Sequence, residues 1–206
     1  MPPFIKEIEM PKIAIAYHSG YGHTARIATH IAQGAKGAGA SVELVKVDAI
    51  DESGWKKLDA ADVIVFGAPT YMGGASAQFK TFEDATVSRW MKREWSGKIA
   101  AGFTNSGSPS GDKLSTLVQL FIFAQQHGMI WQGLNLLPSE QPTGNDFVSK
   151  EALNRLGGFA GLLTQANNDA PESTFTPGDL KTAEIFGAQI AATATKLSGL
   201  SQAAGV

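Results

Sequence analysis

The stretch Ser19-Gly20-Tyr21-Gly22-His23-Thr24 follows an apolar run and opens a helical pattern, and its residue types suit the holding of an anion. Gly20, Gly22 and Ala25 match the G-x-G-x-x-G/A spacing of a turn that takes the pyrophosphate of a dinucleotide. Asp48 lies at about the separation of a ribose-binding carboxylate. Ser19 and Thr24 suit instead a hydroxyl-lined cradle for one terminal phosphate. In either case helix N-terminal N–H groups and the macrodipole favour the anion, the dipole contributing about 0.3 to 2 kcal/mol. Hydrogen bonds to a charged acceptor add about 1.5 to 3 kcal/mol each, so no lysine is required. The G-K-[ST] ending of a nucleoside triphosphate loop is missing.

Two more loops share this character. One is Pro69-Thr70-Tyr71-Met72-Gly73-Gly74; the other runs Asn105-Ser106-Gly107-Ser108-Pro109-Ser110-Gly111. A single loop rich in Gly and Ser marks any turn. Three at equivalent strand ends point to a ligand, because small residues let backbone N–H groups approach it closely.

The elements that must carry these loops read as alternating strands and helices. "KIAIAYHS" is apolar on both faces, as a strand covered from both sides of a parallel sheet must be. A helix is predicted from Thr24 to about Ala38, with Ile27, Ala28, Ile31 and Ala35 on one face, then the strand "SVELVKVD", a short helix in "SGWKKLDA" and the strand "ADVIVFGAP". A helix from about Ala75 to Met91, the strand "GKIAAGFTN", the helix "KLSTLVQLFIFAQQ" and a fifth strand in "GMIWQGLNLL" follow. The Gly-, Pro-, Asn- and Thr-rich segment from Pro138 to Asp179 reads as a long functional loop. A closing helix begins near Gly178 or Asp179, with Ile185, Phe186, Gln189, Ile190, Thr193, Ala194 and Leu197 on one side. This order gives an α/β fold, a doubly wound five-stranded parallel sheet with helices on both faces. Its ligand is expected outside the carboxyl ends of the strands.

Composition narrows the function. At 206 residues the chain fits one domain with a substantial core, expected over residues 12–200, with a short extension at 1–11 and a tail at 201–206. Without cysteine there is no disulfide, thiolate metal site or cysteine nucleophile, and four scattered histidines make a poor metal site. A net charge of -2 with no concentrated basic stretch argues against nucleic acid as a partner. "MPPFIKEIEM" has neither the basic nor the apolar region of a signal peptide. Leu114 to Ser139 has no charged residue, but Leu114, Leu117, Val118, Phe121 and Ile122 follow one helix face, which predicts a core helix and no membrane span. A soluble, cytoplasmic protein is expected. His18 and His23 lie at the first loop, where backbone satisfaction of His18 and the backbone N–H of His23 are expected to matter most. His30 is expected on the surface.

The loops "SGYGHT", "FGAPTYMGG" and "NSGSPSG", with "FKTFEDAT", "GKIAAGF", "QHGM" and Gly157-Gly158, resemble the flavodoxin-like flavoproteins, and among them the WrbA type of NAD(P)H:quinone oxidoreductase. The likeness extends over nearly the whole chain after residue 11. It implies strand order 2-1-3-4-5 and FMN as cofactor, which decides the first loop in favour of one phosphate. By that resemblance Ser19, Gly20, Tyr21, Gly22, His23 and Thr24 enclose the phosphate. Pro69, Thr70, Tyr71, Met72 and Gly73 lie along the isoalloxazine, and Asn105, Ser106, Gly107, Ser108, Pro109 and Ser110 reach its pyrimidine side. Tyr21, Trp90, Gln126, His127 and Phe159 are the substrate positions it implies.

The implied reaction is two-electron reduction of a quinone by NADH or NADPH, with hydride passing through flavin N5 in a ping-pong cycle and no side chain acting as nucleophile or base. A homodimer or homotetramer is implied as well. Where the WrbA type usually has Arg, this chain has Tyr71; its first histidine of "HHGM" is Gln126 here; and the usual insertion after the second strand and the Pro-Tyr of the glycine loop are missing. The alternatives are a flavodoxin-type single-electron carrier, a regulatory FMN-binding protein, or an NAD-dependent dehydrogenase using Asp48.

Overall fold

The computed structural model describes residues 10–139, 148–167 and 169–204. Four long strands form the sheet: β1 (Lys12–Tyr17), β2 (Ser41–Lys46), β3 (Val63–Tyr71) and, beyond the two-residue β4 (Gly74–Ala75), β5 (Ile99–Ser106). Two short strands, β6 (Ile130–Gln132) and β7 (Leu162–Gln165), complete it. The order is β2-β1-β3-β5-β6, with β7 also paired to β5 and β4 paired antiparallel to β3. The predicted 2-1-3-4-5 parallel order therefore holds.

Alternation along the strands builds two cores, since successive side chains point to opposite faces. Ile13, Ile15, Val63, Val65, Ala101 and Phe103 pack under α1 (His23–Gly37) and α6 (Pro177–Ala204). Ala14, Ala16, Ile64, Phe66 and Ala100 pack under α2 (Glu52–Ala60), α3 (Ala77–Ala85) and α5 (Lys113–Gln126). On the second face Phe66, Phe79, Phe82, Trp95 and Phe123 make edge and tilted ring contacts 5.1 to 6.5 Å apart. Such aromatic packing contributes beyond area burial. Helix α2 starts on Asp51, whose carboxylate accepts from Gly54 N at 2.7 Å. On the first face α1 and α6 touch backbone to backbone. A Cβ on Gly34 would lie 1.8 Å from the Glu184 carbonyl oxygen, and one on Gly187 would lie 2.0 Å from that of Ile31.

Five local expectations are corrected. The helix predicted over Ala75–Met91 is broken into α3 and α4 (Val87–Lys92) at Thr86, whose hydroxyl donates to the Glu83 carbonyl at 2.7 Å and so offers the backbone an alternative to continuing. The fifth strand is split: the chain leaves the sheet after Gln132, and its upper half comes from β7, inside the segment read as loop. The glycines of "LGGFAG" permit this, because a Cβ on Gly161 would sit 2.4 Å from the Gly102 carbonyl oxygen. Helix α5 buries Thr116, Leu117, Leu120 and Ala124, while Leu114, Val118, Phe121 and Ile122 are exposed. The helix carries two apolar stripes, and period alone does not say which one meets the sheet. Helix α6 is capped by Thr176 and not by Gly178 or Asp179: the Thr176 hydroxyl accepts from Asp179 N at 3.1 Å, and the helix runs to Ala204. His30 is only 12% exposed and meets Glu184 of α6 at 3.1 Å.

Candidate functional site

The three loops converge at the carboxyl edge of β1, β3 and β5. In the first, Gly22 takes the left-handed conformation, φ 87°, at the start of α1, and no acidic residue occupies the first turn. The Ser19 hydroxyl accepts from Ala25 N at 3.1 Å. Thr24, buried, donates through its hydroxyl to the Asn105 carboxamide oxygen at 2.8 Å, tying this loop to the third. A helix start without side-chain carboxylates presents its unpartnered N–H groups to an anion.

The second loop is a hairpin. Thr70 pairs with Ala75 and Tyr71 with Gly74, leaving Met72 (φ 49°) and Gly73 (φ 80°) as the two turn residues. A two-residue turn of type I′ requires positive φ at both centres, which strains a methionine and costs glycine little. The hairpin is fastened to α5: Ser115 donates to the Gly73 carbonyl and Gln119 accepts from Ala75 N at 3.1 Å. Beneath it the Thr70 hydroxyl meets those of Thr104 and Thr116, each at 2.8 Å.

Lys113 orders the third loop. Its buried ammonium donates to Ser106 Oγ at 2.9 Å, to the Ser108 carbonyl at 2.6 Å and to the Pro109 carbonyl at 2.9 Å. Burial pushes its pKa down to about 8, with Arg155 adding to the fall and Asp179 opposing it. Sequence reasoning missed this residue, because nothing in "GDKLS" distinguishes a buried lysine from a surface one.

A cavity of about 570 Å³ lies between the loops, lined by Ser19, Gly20, Tyr21, His23, Thr24, Pro69, Thr70, Tyr71, Asn105, Ser106 and Gly107. Gly22, Met72, Gly73, Ser108, Pro109 and Ser110 belong to the same loops but are not among its lining residues. Tyr21 and Tyr71 meet edge to face, 6.4 Å apart, and Tyr71 Oη leans over Gly20, 3.0 Å from where a Cβ would stand.

The remaining wall, Ala166, Asn167, Asp169, Ala170 and Pro171, follows β7 and was missed. The signal was the short apolar stretch before a turn-forming Asn/Asp/Pro cluster; once β7 is placed, its loop falls at the ligand edge by topology. His23 Nε2 donates to the Asp169 carbonyl at 2.8 Å, so the ring of His23 matters here and not only its backbone. A Cβ on Gly22 would lie 2.7 Å from Pro171 Cγ. His18 is satisfied by a side chain and not by backbone: its Nδ1 meets Ser76 Oγ at 2.7 Å, and burial pushes its pKa down, with Asp48 opposing. Asp48 itself is exposed and outside the cavity lining.

The substrate positions separate. Only Tyr21 lines this cavity. Trp90, Gln126 and His127 line a second, apolar groove of about 750 Å³ between α3, α4 and α5, and Phe159 is exposed and lines neither. His127 is buried, its Nε2 2.9 Å from the Thr86 hydroxyl and its ring 4.7 Å from that of Trp95. Burial, aided by Arg93, pushes its pKa down to about 4, so the ring is neutral near pH 7.

A doubly wound parallel sheet whose loops after the first, third and fourth long strands meet around one cavity defines a flavodoxin-like α/β protein. The family model described as flavodoxin matches residues 15–119, and the chain belongs to the flavodoxin family. It is 42% identical to flavodoxin FldP of Pseudomonas aeruginosa over 88% of this chain and 96% of that one. It is 30% identical to an NAD(P)H dehydrogenase (quinone) of Archaeoglobus fulgidus over 91% of this chain and 100% of the relative. Among solved structures, a flavodoxin, WrbA-like protein from Agrobacterium tumefaciens superposes with a TM-score of 0.68 at 39% identity, covering 89% of this chain and 97% of that one.

Proposed function

We propose that the cavity takes FMN and that the chain is an NAD(P)H-dependent reductase of quinones. The observation that carries the reading is the meeting, in one cavity, of a hydroxyl-lined helix start, the Thr70–Tyr71 hairpin edge and the Asn105–Gly107 loop. The donor set fits the cofactor: hydroxyls and main-chain N–H groups at a helix start free of carboxylates suit a phosphate dianion, and flat side chains flank the rest of the space. In this reading Ser19 to Thr24 hold the phosphate, Pro69 to Gly73 flank the ring and Asn105 to Ser110 reach its pyrimidine side. Bound FMN supplies hydride- and electron-transfer chemistry that no side chain here can provide. Tyr21 and Tyr71 shield one edge from water, and the Thr70–Thr104–Thr116 hydroxyl cluster holds the hairpin base in place. Relatives named NAD(P)H dehydrogenase (quinone) support the donor and acceptor.

A single-electron carrier is the second reading, favoured by the 42% identity to a protein named flavodoxin. Carriers that dock by charge are commonly strongly acidic, and a net charge of -2 supports the reductase instead. A homodimer or homotetramer is part of the proposal, supported by apolar residues exposed on α4 and α5, Val87, Trp90, Met91, Leu114, Val118 and Ile122. Light scattering that finds only a monomer removes that part. The activity is tested anaerobically: FMN is added, then NADH or NADPH, then benzoquinone, while flavin absorbance is followed. Bleaching by one donor and recovery with the quinone are expected; bound flavin that neither donor bleaches would leave the carrier reading.

A further inference from the structure

Gln119 stands between two partners that make opposite demands on its amide. Its carbonyl oxygen accepts from Ala75 N, 3.1 Å away in the hairpin. Its Nε2 donates to Glu83, 3.2 Å from Oε2 and 3.5 Å from Oε1. Glu83 is 7% exposed, an unusual place for a carboxylate without an ideal ion pair.

We propose that Glu83 and Gln119 are positioning residues for the cavity, a proton-dependent latch in which the charge state of Glu83 sets how firmly α5 holds the Thr70–Ala75 hairpin. A carboxylate can only accept hydrogen bonds, whereas an amide has one donor end and one acceptor end. Ionised Glu83 therefore fixes Nε2 toward itself and the carbonyl toward Ala75 N. Protonated Glu83 has an O–H that can donate to the Gln119 carbonyl. The other oxygen of the acid still accepts from Nε2, but more weakly than a carboxylate, so the amide is no longer held in one orientation; when turned, it sets its N–H₂ against Ala75 N, donor against donor, and unfastens the hairpin on that side. Ser115, bonded to the Gly73 carbonyl, and Thr116, bonded to the Thr70 hydroxyl at the hairpin base, then remain as α5 anchors.

The charges around Glu83 leave its proton free to exchange near neutrality. On its own helix Lys80 Nζ is 3.8 Å from Oε2 but is also paired with Asp84. From α5 the facing polar group is Gln119. Toward α4 stand Thr86 and the neutral His127, with Arg93 beyond it. Burial pushes the pKa of Glu83 up to about 7, the Gln119 hydrogen bond and Lys80 opposing and Asp84 adding.

The consequence for the cofactor rests on the FMN reading; the latch itself does not. Hydrogen exchange of residues 70–76 is measured without FMN from about pH 5.5 to about pH 8.5, after division by the intrinsic exchange rate. Protection is expected to rise about fivefold through a midpoint near 7 in the wild type, as one hydrogen bond is secured. It should show no midpoint in Glu83→Gln and be low at every pH in Gln119→Leu, with circular dichroism verifying that both variants fold. A flat wild-type profile, or the same midpoint surviving in Glu83→Gln, overturns the latch. FMN titrations at the pH extremes then compare wild type with Glu83→Gln, so that the titration of the FMN phosphate cancels. An identical pH dependence in both overturns the coupling to the cofactor, and failure of every protein to bind FMN overturns the cavity reading while the exchange data still judge the latch.

Discussion

The Thr24 hydroxyl and the Asn105 carboxamide oxygen, 81 positions apart in sequence, lie 2.8 Å apart and join the first cavity loop to the third. Thr24 is 1% exposed and Asn105 5%, so the bond is sheltered and its loss is not made good by bulk water. Thr24→Val keeps the shape and removes the hydroxyl. FMN affinity is expected to fall about 10- to 100-fold, corresponding to about 1.4 to 3 kcal/mol. Riboflavin, which lacks the phosphate but keeps the ring that Asn105 is proposed to reach, should lose only the part that comes through Asn105 and so lose less. Calorimetric titration of both ligands checks this: an unchanged ratio of the two affinities would remove Thr24 from the phosphate cradle.

Lys113 makes a different prediction, because it touches the third loop and not the cavity. Replacing it with Met leaves Ser106 Oγ and the Ser108 and Pro109 carbonyls without their shared donor. FMN binding should weaken about tenfold through loosening of the loop. The lysine also costs stability while charged. Its folded pKa of about 8 lies below the ordinary 10.5, so between those values the unfolded chain holds more protons and stability from this group rises with pH. Urea melts should show that rise in the wild type and lose it in Lys113→Met.

The α1–α6 crossing is tested by a pair of substitutions on one helix. Gly187→Ala places a methyl 2.0 Å from the Ile31 carbonyl oxygen and must push the helices apart. A loss of about 1 to 3 kcal/mol or more is expected from such overpacking. Gly199→Ala, where nothing lies within 4 Å, should instead stabilise by up to about 1 kcal/mol through helix propensity. Denaturant midpoints moving in opposite directions would bear out both; a shared direction would contradict the backbone contact.

Most of the frame was legible because it rests on local pattern. Unbroken apolar runs marked β1, β3 and β5, and the spacing of Ile27, Ala28, Ile31 and Ala35 gave the buried face of α1. The loops were legible for the same reason, since Gly22 and Gly73 take positive φ where the turns need it. What escaped was decided by contacts distant in sequence. β7 pairs with β5 about 60 residues away, and without that pairing the cavity wall of Ala166, Asn167, Asp169, Ala170 and Pro171 could not be placed. Lys113, Glu83 and Gln119 look like surface residues until the fold closes over them. The exposed stripe of α5 reads as core in the sequence because a helix with two apolar faces has no internal sign of which one the sheet will cover.

Glu83 and His127 pull the stability of the protein in opposite directions as pH changes, and one substitution separates them. The folded pKa of Glu83, about 7, is above its ordinary 4.5, so between these values the folded state holds the extra proton and stability falls as pH rises. For His127 the folded value, about 4, is below the ordinary 6.5, so over that window the unfolded state holds the extra proton and stability falls as pH falls. Across the overlap the two slopes oppose each other and the wild-type melting temperature should change little for their part. Glu83→Gln keeps the side-chain size and removes the charge. At pH about 8 it should melt higher than the wild type, and at pH about 4 the two should coincide. With the glutamate gone, the His127 slope should emerge as a melting temperature that climbs from acid to neutral pH and then levels. Parallel melting curves for the two proteins at every pH would mean that Glu83 titrates normally.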